Sequence, residues 1–140
     1  MRRVLALAVV TALAVVAIGA TASAQRVTKF SVVAIQKSQR RVSNRSLISK
    51  GRLAQVGNLS NTVGHYHARF TFRRKTRTAR IRAVAFFGRH TSLKAKGIQG
   101  PHDNRLPIIG GTGAFDGAAG KLKTRNLGRN RTLLTFAFVQ

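Results

Sequence analysis

The chain has 140 residues, a formal net charge of +24 and no cysteine. The lack of cysteine excludes disulfides, thiolate catalysis and zinc knuckles. Asp103 and Asp116 are the only acidic side chains, so an enzyme that uses paired carboxylates is excluded unless these two meet.

The first 24 residues have the three parts of a secretory signal. Arg2 and Arg3 form a positive start, 4–18 is an uncharged run, and Ala22-Ser23-Ala24 is a small-residue cleavage site. The run is shorter than the ~20 residues that a helix needs to cross a bilayer. We therefore predict a signal peptide over 1–24, cleavage after Ala24, and a secreted, extracellular domain over 25–140. This domain keeps a charge of +22, once Arg2 and Arg3 are subtracted from the total of +24, and has no predicted membrane span.

The remaining chain shows the alternation of strands, and no segment has a helical stripe. The predicted strands cover 27–35, 63–72, 78–87, 93–98, 121–125 and 133–139. The polar stretch 36–46 is predicted as a loop, and 73–77 as a hairpin tip. About seven or eight short strands in one small domain favour an all-β antiparallel barrel or sandwich, with apolar residues inside and basic residues outside.

Glycines concentrate near the C-terminus, where we predict a turn between strands. The predicted turn glycines are Gly110, Gly111, Gly113, Gly117 and Gly120. The Gly-Gly-Thr-Gly run is not a phosphate loop, because the place of the third fingerprint glycine is taken by Asp116 and no helix is predicted to follow. We expect left-handed backbone at Gly111, so that Gly111→Val would destabilise the fold.

Two histidines lie two residues apart on the second predicted strand. His65 and His67 therefore face the same way, and with His90 or His102 they could bind zinc. The alternative is a pair of outward histidines on a basic surface. We favour this alternative, and we predict no metal and no cofactor.

The positive charge predicts attraction to polyanions such as an anionic cell-surface polymer. The candidate polyanion patch comprises Arg73, Arg74, Lys75, Arg77, Lys121, Lys123 and Arg125. The chain has no Trp, and Tyr66 is its only tyrosine. Because stacking platforms for bases need exposed aromatic rings, no specific nucleic-acid partner is predicted.

The glycine-rich segment carries a family resemblance. Residues 106–120 read Leu-Pro-Ile-Ile-Gly-Gly-Thr-Gly-Ala-Phe-Asp-Gly-Ala-Ala-Gly, which resembles the signature of the allene oxide cyclase and dirigent superfamily. Phe87-Gly88 and 97–101 resemble the strand of the cyclases that ends in a Gln-Gly-Pro turn. The resemblance implies an eight-stranded, calycin-like antiparallel barrel, a dimer or trimer, and an interior that holds an apolar ligand.

The catalytic residues of the cyclases do not carry over. Where the cyclases have Glu and Asn on the first strand, this chain has Ala34 and Gln36, and Phe70 stands near the place of their cysteine. We therefore predict a barrel that binds a small apolar ligand or an anionic surface polymer, with catalysis left open and not favoured. The alternative is an isomerase, a cyclase or dirigent-type stereocontrol inside the barrel. The candidate ligand-binding residues are Tyr66, as the polar anchor, and Phe70, Phe72, Phe86, Phe136 and Phe138.

Overall fold

Eight strands close into a barrel in which each strand pairs antiparallel with the next and the last pairs with the first. The structure is a computed structural model that describes residues 26–140; the predicted signal peptide, 1–24, lies outside the described residues. The strands are β1 Thr28–Arg41, β2 Ser46–Gln55, β3 Asn58–Arg73, β4 Thr78–Phe86, β5 Ser92–Gln99, β6 Arg105–Thr112, β7 Ala119–Gly128 and β8 Arg131–Val139. A short 3-10 helix, Gly113–Phe115, joins β6 to β7. The predicted antiparallel β-barrel is confirmed.

Two segments that were not predicted as strands complete the barrel. β2 and β6 were not identified. The loop predicted over 36–46 is confined to 42–45, because β1 continues to Arg41 and β2 begins at Ser46. The pairing of β1 with β2 skips Lys37, which forms a bulge between Gln36 and Ser38. The bulge lets a polar stretch stay in the sheet while it changes which residues face the interior.

The two ends of the barrel differ. The loops at 42–45, 74–77, 100–104 and 129–130 lie at one end, called the mouth, and the loops at 56–57, 87–91 and 113–118 lie at the other, called the closed end. Five phenylalanines fill the closed end: Phe30, Phe87, Phe115, Phe136 and Phe138. Phe30 stacks on Phe136 with ring centroids 5.1 Å apart and meets Phe87 edge-on at 5.5 Å. Rings in these arrangements add to the stabilisation from burial alone.

The glycine-rich segment is mostly strand rather than turn. Gly110 and Gly111 belong to β6 and Gly120 to β7, and only Gly113 and Gly117 of the predicted turn glycines have left-handed φ, at 61° and 76°. The left-handed conformation expected at Gly111 is therefore wrong. Gly111 is needed for space: a Cβ there would overlap the carbonyl oxygen of Phe115 and lie 2.6 Å from that of Ser92.

Two adjacent glycines separate this packing effect from the general cost of replacing glycine. Gly111→Ala should lower the free energy of unfolding by about 2 kcal/mol or more, because backbone must move to admit the methyl group. Gly110 has open space around its Cβ position and no left-handed φ, so Gly110→Ala should be neutral or stabilise by about 0.4–1 kcal/mol. Urea unfolding measures both, and equal effects would contradict the packing account.

Candidate functional site

The mouth half of the barrel holds a cavity of about 770 Å³. The inward side chains are small on three neighbouring strands: Ala68 on β3, Ala83 on β4 and Ala95 on β5 lie side by side and line the cavity. Methyl groups at these three positions leave the centre of the barrel unfilled, whereas the phenylalanines fill the closed end. The volume lies within the range of small-molecule sites, about 300–1,000 Å³.

A chain of hydrogen bonds crosses one wall of the cavity. Ser49 Oγ donates to Gln36 Oε1 at 3.4 Å and lies 3.1 Å from Tyr66 Oη. Either hydroxyl can be the donor in the contact between Tyr66 and Ser49, because each carries one proton and two lone pairs. Tyr66 Oη therefore keeps hydrogen-bonding capacity, as a donor or as an acceptor, beside the cavity. Gln36 Nε2 donates to Gln39 Oε1 at 3.0 Å, which carries the chain toward the mouth.

Two backbone features place these polar groups. The bulge at Lys37 allows Gln36 and Gln39, three residues apart, both to line the cavity. Gly51 stands opposite Tyr66 in the register of β2 and β3. A Cβ there would overlap the carbonyl oxygen of Ile35 on β1 and would also lie 2.7 Å from Tyr66 Cε1. The glycine therefore makes room for the tyrosine ring.

The predicted ligand-binding residues fall into three places. Tyr66, Phe70, Phe72 and Phe136 line the cavity. Phe138 is buried in the aromatic layer of the closed end, away from the cavity. Phe86 lies on the outer face of β4, stacked on His65. The expected interior position of Phe86 is wrong because the alternation along β4 turns Ala85 inward and Phe86 outward. Phe87, the first residue after the strand, packs into the closed end instead.

Other cavity residues were missed by the sequence reasoning. They are the alanines of β3–β5, the polar residues Gln36, Gln39 and Ser49, and residues near the mouth such as Gln99, Asn126 and Arg129. Small residues alternating through Ala79, Ala83 and Ala85 were a signal of spare interior volume. The polar residues gave no such signal, since polar side chains normally mark the outside of a strand.

Basic residues surround the mouth. Arg129 lines the cavity from the β7–β8 turn, where its φ of 49° is left-handed. Next to the mouth, Arg41, Arg45 and Arg74 line a small cleft of about 210 Å³ together with Asn44. A group of cations in a concave site concentrates positive potential and attracts an anionic group.

The predicted polyanion patch is divided by the fold. Arg73 ends β3, and Arg74, Lys75 and Arg77 lie in the β3–β4 turn at the mouth. Lys121, Lys123 and Arg125 project from β7, four strands away around the barrel. The two halves therefore lie on opposite sides rather than on one surface.

Most of the side chains that serve in acid–base catalysis are missing from the cavity lining formed by the described residues, and Tyr66 is the exception. Among residues 26–140, no carboxylate, histidine or thiol lines it. Asp103 and Asp116 are exposed and lie in loops at opposite ends of the barrel, so they do not form a pair. In the same part of the chain no group of three His, Cys, Asp or Glu could hold a metal ion, and no helix is long and apolar enough to cross a membrane.

Comparison with known proteins supports the fold. A solved structure of pyocyanin demethylase superposes with a TM-score of 0.62 at 13% identity, over 79% of this chain and 99% of that one. The crystal structure of AbnU, an exo-specific intermolecular Diels-Alderase, gives 0.59 at 15% identity, over 81% and 99%. Like this chain, these neighbours are small antiparallel β-barrel proteins. No protein-family model and no curated protein sequence matches the chain.

The hydrogen bond between Tyr66 and Ser49 can be measured with a double-mutant cycle. Tyr66→Phe and Ser49→Ala should each lower the free energy of unfolding by about 1 kcal/mol, since each removes one partner. The double variant should lose less than the sum of the two, because the second substitution removes an already broken bond. Strict additivity in urea unfolding would contradict the interaction.

Proposed function

We propose that this protein is a secreted binding protein that holds one small, mostly apolar organic molecule in the barrel cavity. The observation that carries the proposal is the contrast inside one barrel: five phenylalanines fill the closed end, and a row of alanines leaves about 770 Å³ open at the mouth. A sequence that needed only a packed core would have filled both halves, because interiors pack to high density.

The polar groups of the site suggest how the molecule is oriented. Its apolar body would lie against Phe70, Phe136 and the alanines, with a polar group hydrogen-bonded to Tyr66 Oη. A negatively charged end would face the mouth, where Arg129 and the cleft of Arg41, Arg45 and Arg74 lie. The proposed ligand is therefore an apolar molecule with one acidic end.

Kinship with the allene oxide cyclase and dirigent superfamily is part of the proposal. It rests on the motif at 106–120, whose Gly111 packs against Phe115 where no side chain fits, and on the eight-stranded barrel. The likeness to solved structures, at 13% and 15% identity, supports the fold alone. Assembly as a dimer or trimer stays a prediction of that resemblance.

A second candidate function is stereocontrol of a cyclisation inside the cavity. It is favoured by the polar chain of Tyr66, Ser49 and Gln36, which can orient a reactant without exchanging protons with it. AbnU is named a Diels-Alderase, and a cycloaddition of that class needs two partners held together rather than an acid or a base. A change in the exo-to-endo product ratio of an apolar diene and a maleimide, abolished by Ala83→Leu, would support this candidate.

Cavity filling tests the binding proposal. The probe is 1-anilinonaphthalene-8-sulfonate, which has an apolar body and one anionic group. Ala83→Leu should weaken its binding about tenfold, equivalent to about 1.4 kcal/mol, because the leucine occupies the cavity. Ala119→Leu, on an exposed position of β7, is the matched control and should leave binding unchanged. If Ala83→Leu bound the probe with wild-type affinity, the probe would bind outside the cavity and the proposal would be contradicted.

Removing two arginines at the mouth tests whether the site binds the acidic end of a ligand. Arg45→Gln combined with Arg74→Gln should weaken binding of the sulfonate probe and reduce its dependence on salt. The uncharged relative N-phenyl-1-naphthylamine should bind the variant and the wild type equally. Equal losses for both probes would mean that the two arginines shape the mouth rather than attract an anion.

A further inference from the structure

The outer face of the sheet on the β2–β5 side carries a row of like charges in direct register. Arg69 on β3 stands opposite Arg82 on β4, and Arg82 stands opposite Lys96 on β5. All three are exposed. Residues in such positions lie about 5 Å apart, and like charges placed there repel each other. The fold therefore holds three adjacent cations in an arrangement that is unfavourable without an anion.

Further basic groups extend this row in both directions. Toward the closed end, Lys50 and Lys94 lie in the next outer row, in register with His67 and Val84 between them. Toward the mouth, Arg80 lies in the outer row next to that of Arg69 and Arg82. We call this surface the outer cationic face; its cations are Lys50, Arg69, Arg80, Arg82, Lys94 and Lys96.

The chain offers little of its own to neutralise this face. Its only acidic side chains, Asp103 and Asp116, lie in the β5–β6 loop at the mouth and beside the 3-10 helix at the closed end. Neither stands in the outer rows of β2–β5. An external polyanion can neutralise several cations of the face at once and release its own counterions in doing so.

A pair of stacked rings lies at the closed-end edge of the same face. His65 and Phe86 are opposite each other in register, with ring centroids 4.7 Å apart and an interplanar angle of 15°. Both rings line a surface groove, whose other lining residues include Lys37, Lys50, Arg52 and His67. Rings in a positively charged groove are the combination that binds single-stranded nucleic acid, because bases stack while phosphates follow the cations.

The groove also contains a fixed cation. Arg52 Nη1 donates to the carbonyl oxygen of Leu59 at 2.6 Å and to Thr62 Oγ1 at 3.1 Å. These bonds hold the guanidinium in place before any ligand arrives. Binding an anion there therefore costs less conformational entropy, because this long side chain is already ordered.

We propose that the outer cationic face and the His65–Phe86 groove form a sequence-independent binding surface for single-stranded nucleic acid. The proposal does not depend on the barrel cavity, since these side chains point away from it. A single strand is favoured over a duplex because the ring pair contributes only when bases are unpaired. It is favoured over an anionic polysaccharide because a polysaccharide offers no bases to stack.

The direct test is fluorescence anisotropy of the full protein with a labelled poly-thymidine strand of about 20 nucleotides. Replacing Arg69, Arg82 and Lys96 together by Gln should weaken binding at least about tenfold at low salt. The slope of log affinity against log salt should fall by about 2, at roughly 0.7 for each phosphate that the variant no longer neutralises. The matched control replaces Lys121, Lys123 and Arg125 by Gln, which removes the same charge from β7 and should have a much smaller effect.

A second variant tests the stacking. Phe86→Leu keeps an apolar side chain on the outer face and removes the ring. It should weaken binding of the thymidine strand about fivefold or more, and it should leave binding of inorganic polyphosphate, which has no bases, unchanged. Melting curves check the fold, and the triple Gln variant should melt no lower than the wild type because the repulsion has been removed.

Three outcomes would overturn the proposal. Equal losses in the two triple variants would mean that only total charge matters. Binding of a duplex or of heparin as tight per anionic group as the single strand would mean that the rings contribute nothing. If the triple Gln variant failed to fold, the charge-keeping pair Arg69→Lys and Arg82→Lys should still bind as the wild type does, and loss of binding there would contradict the charge-based account.

Discussion

Closing eight strands into a barrel sets the width of the interior before any side chain is chosen. The size of each inward residue then decides whether its layer is packed or open. In this chain Phe30, Phe136 and their neighbours fill one half, and Ala68, Ala83 and Ala95 leave the other half open. The packing of the closed end holds the barrel together while the mouth half remains free to receive a ligand.

The same alternation that hollows the interior sorts the charge to the outside. Between the inward alanines stand Arg69, Arg82 and Lys96, which the pleat turns to solvent. One segment of sheet therefore has an apolar cavity on its inner face and a repulsive row of cations on its outer face. The two faces are suited to different ligands and can be tested independently.

The sequence allowed the barrel, its apolar interior and its basic exterior to be predicted, because β3, β8 and the first part of β4, 78–83, alternate cleanly. The prediction failed for the strands whose inward residues are polar. β2 places Ser49 inside, and β1 places Gln36 and Gln39 inside on either side of the bulge at Lys37. These inward polar residues broke the alternation by which strands are recognised, and they are also the residues that give the cavity its hydrogen-bonding groups. The part of the fold that sequence patterns missed is thus the part that builds the candidate site.

The ring pair on the outer face was missed for a related reason. His65 and Phe86 are far apart in sequence, and only the register of β3 with β4 brings them together. The prediction took Phe86 rather than Phe87 as the inward residue, because both faces of that stretch are apolar and alternation alone does not distinguish the two. The register between strands supplied the information that the sequence of either strand lacked.

We propose that the mouth half of the barrel carries a bound ligand when the protein is produced by its own host. Native mass spectrometry of the protein purified from its own host, from low to high salt, tests it most directly. We expect a small organic adduct that survives high salt in the wild type and is missing from Ala83→Leu. A bare protein mass at every salt concentration would contradict it.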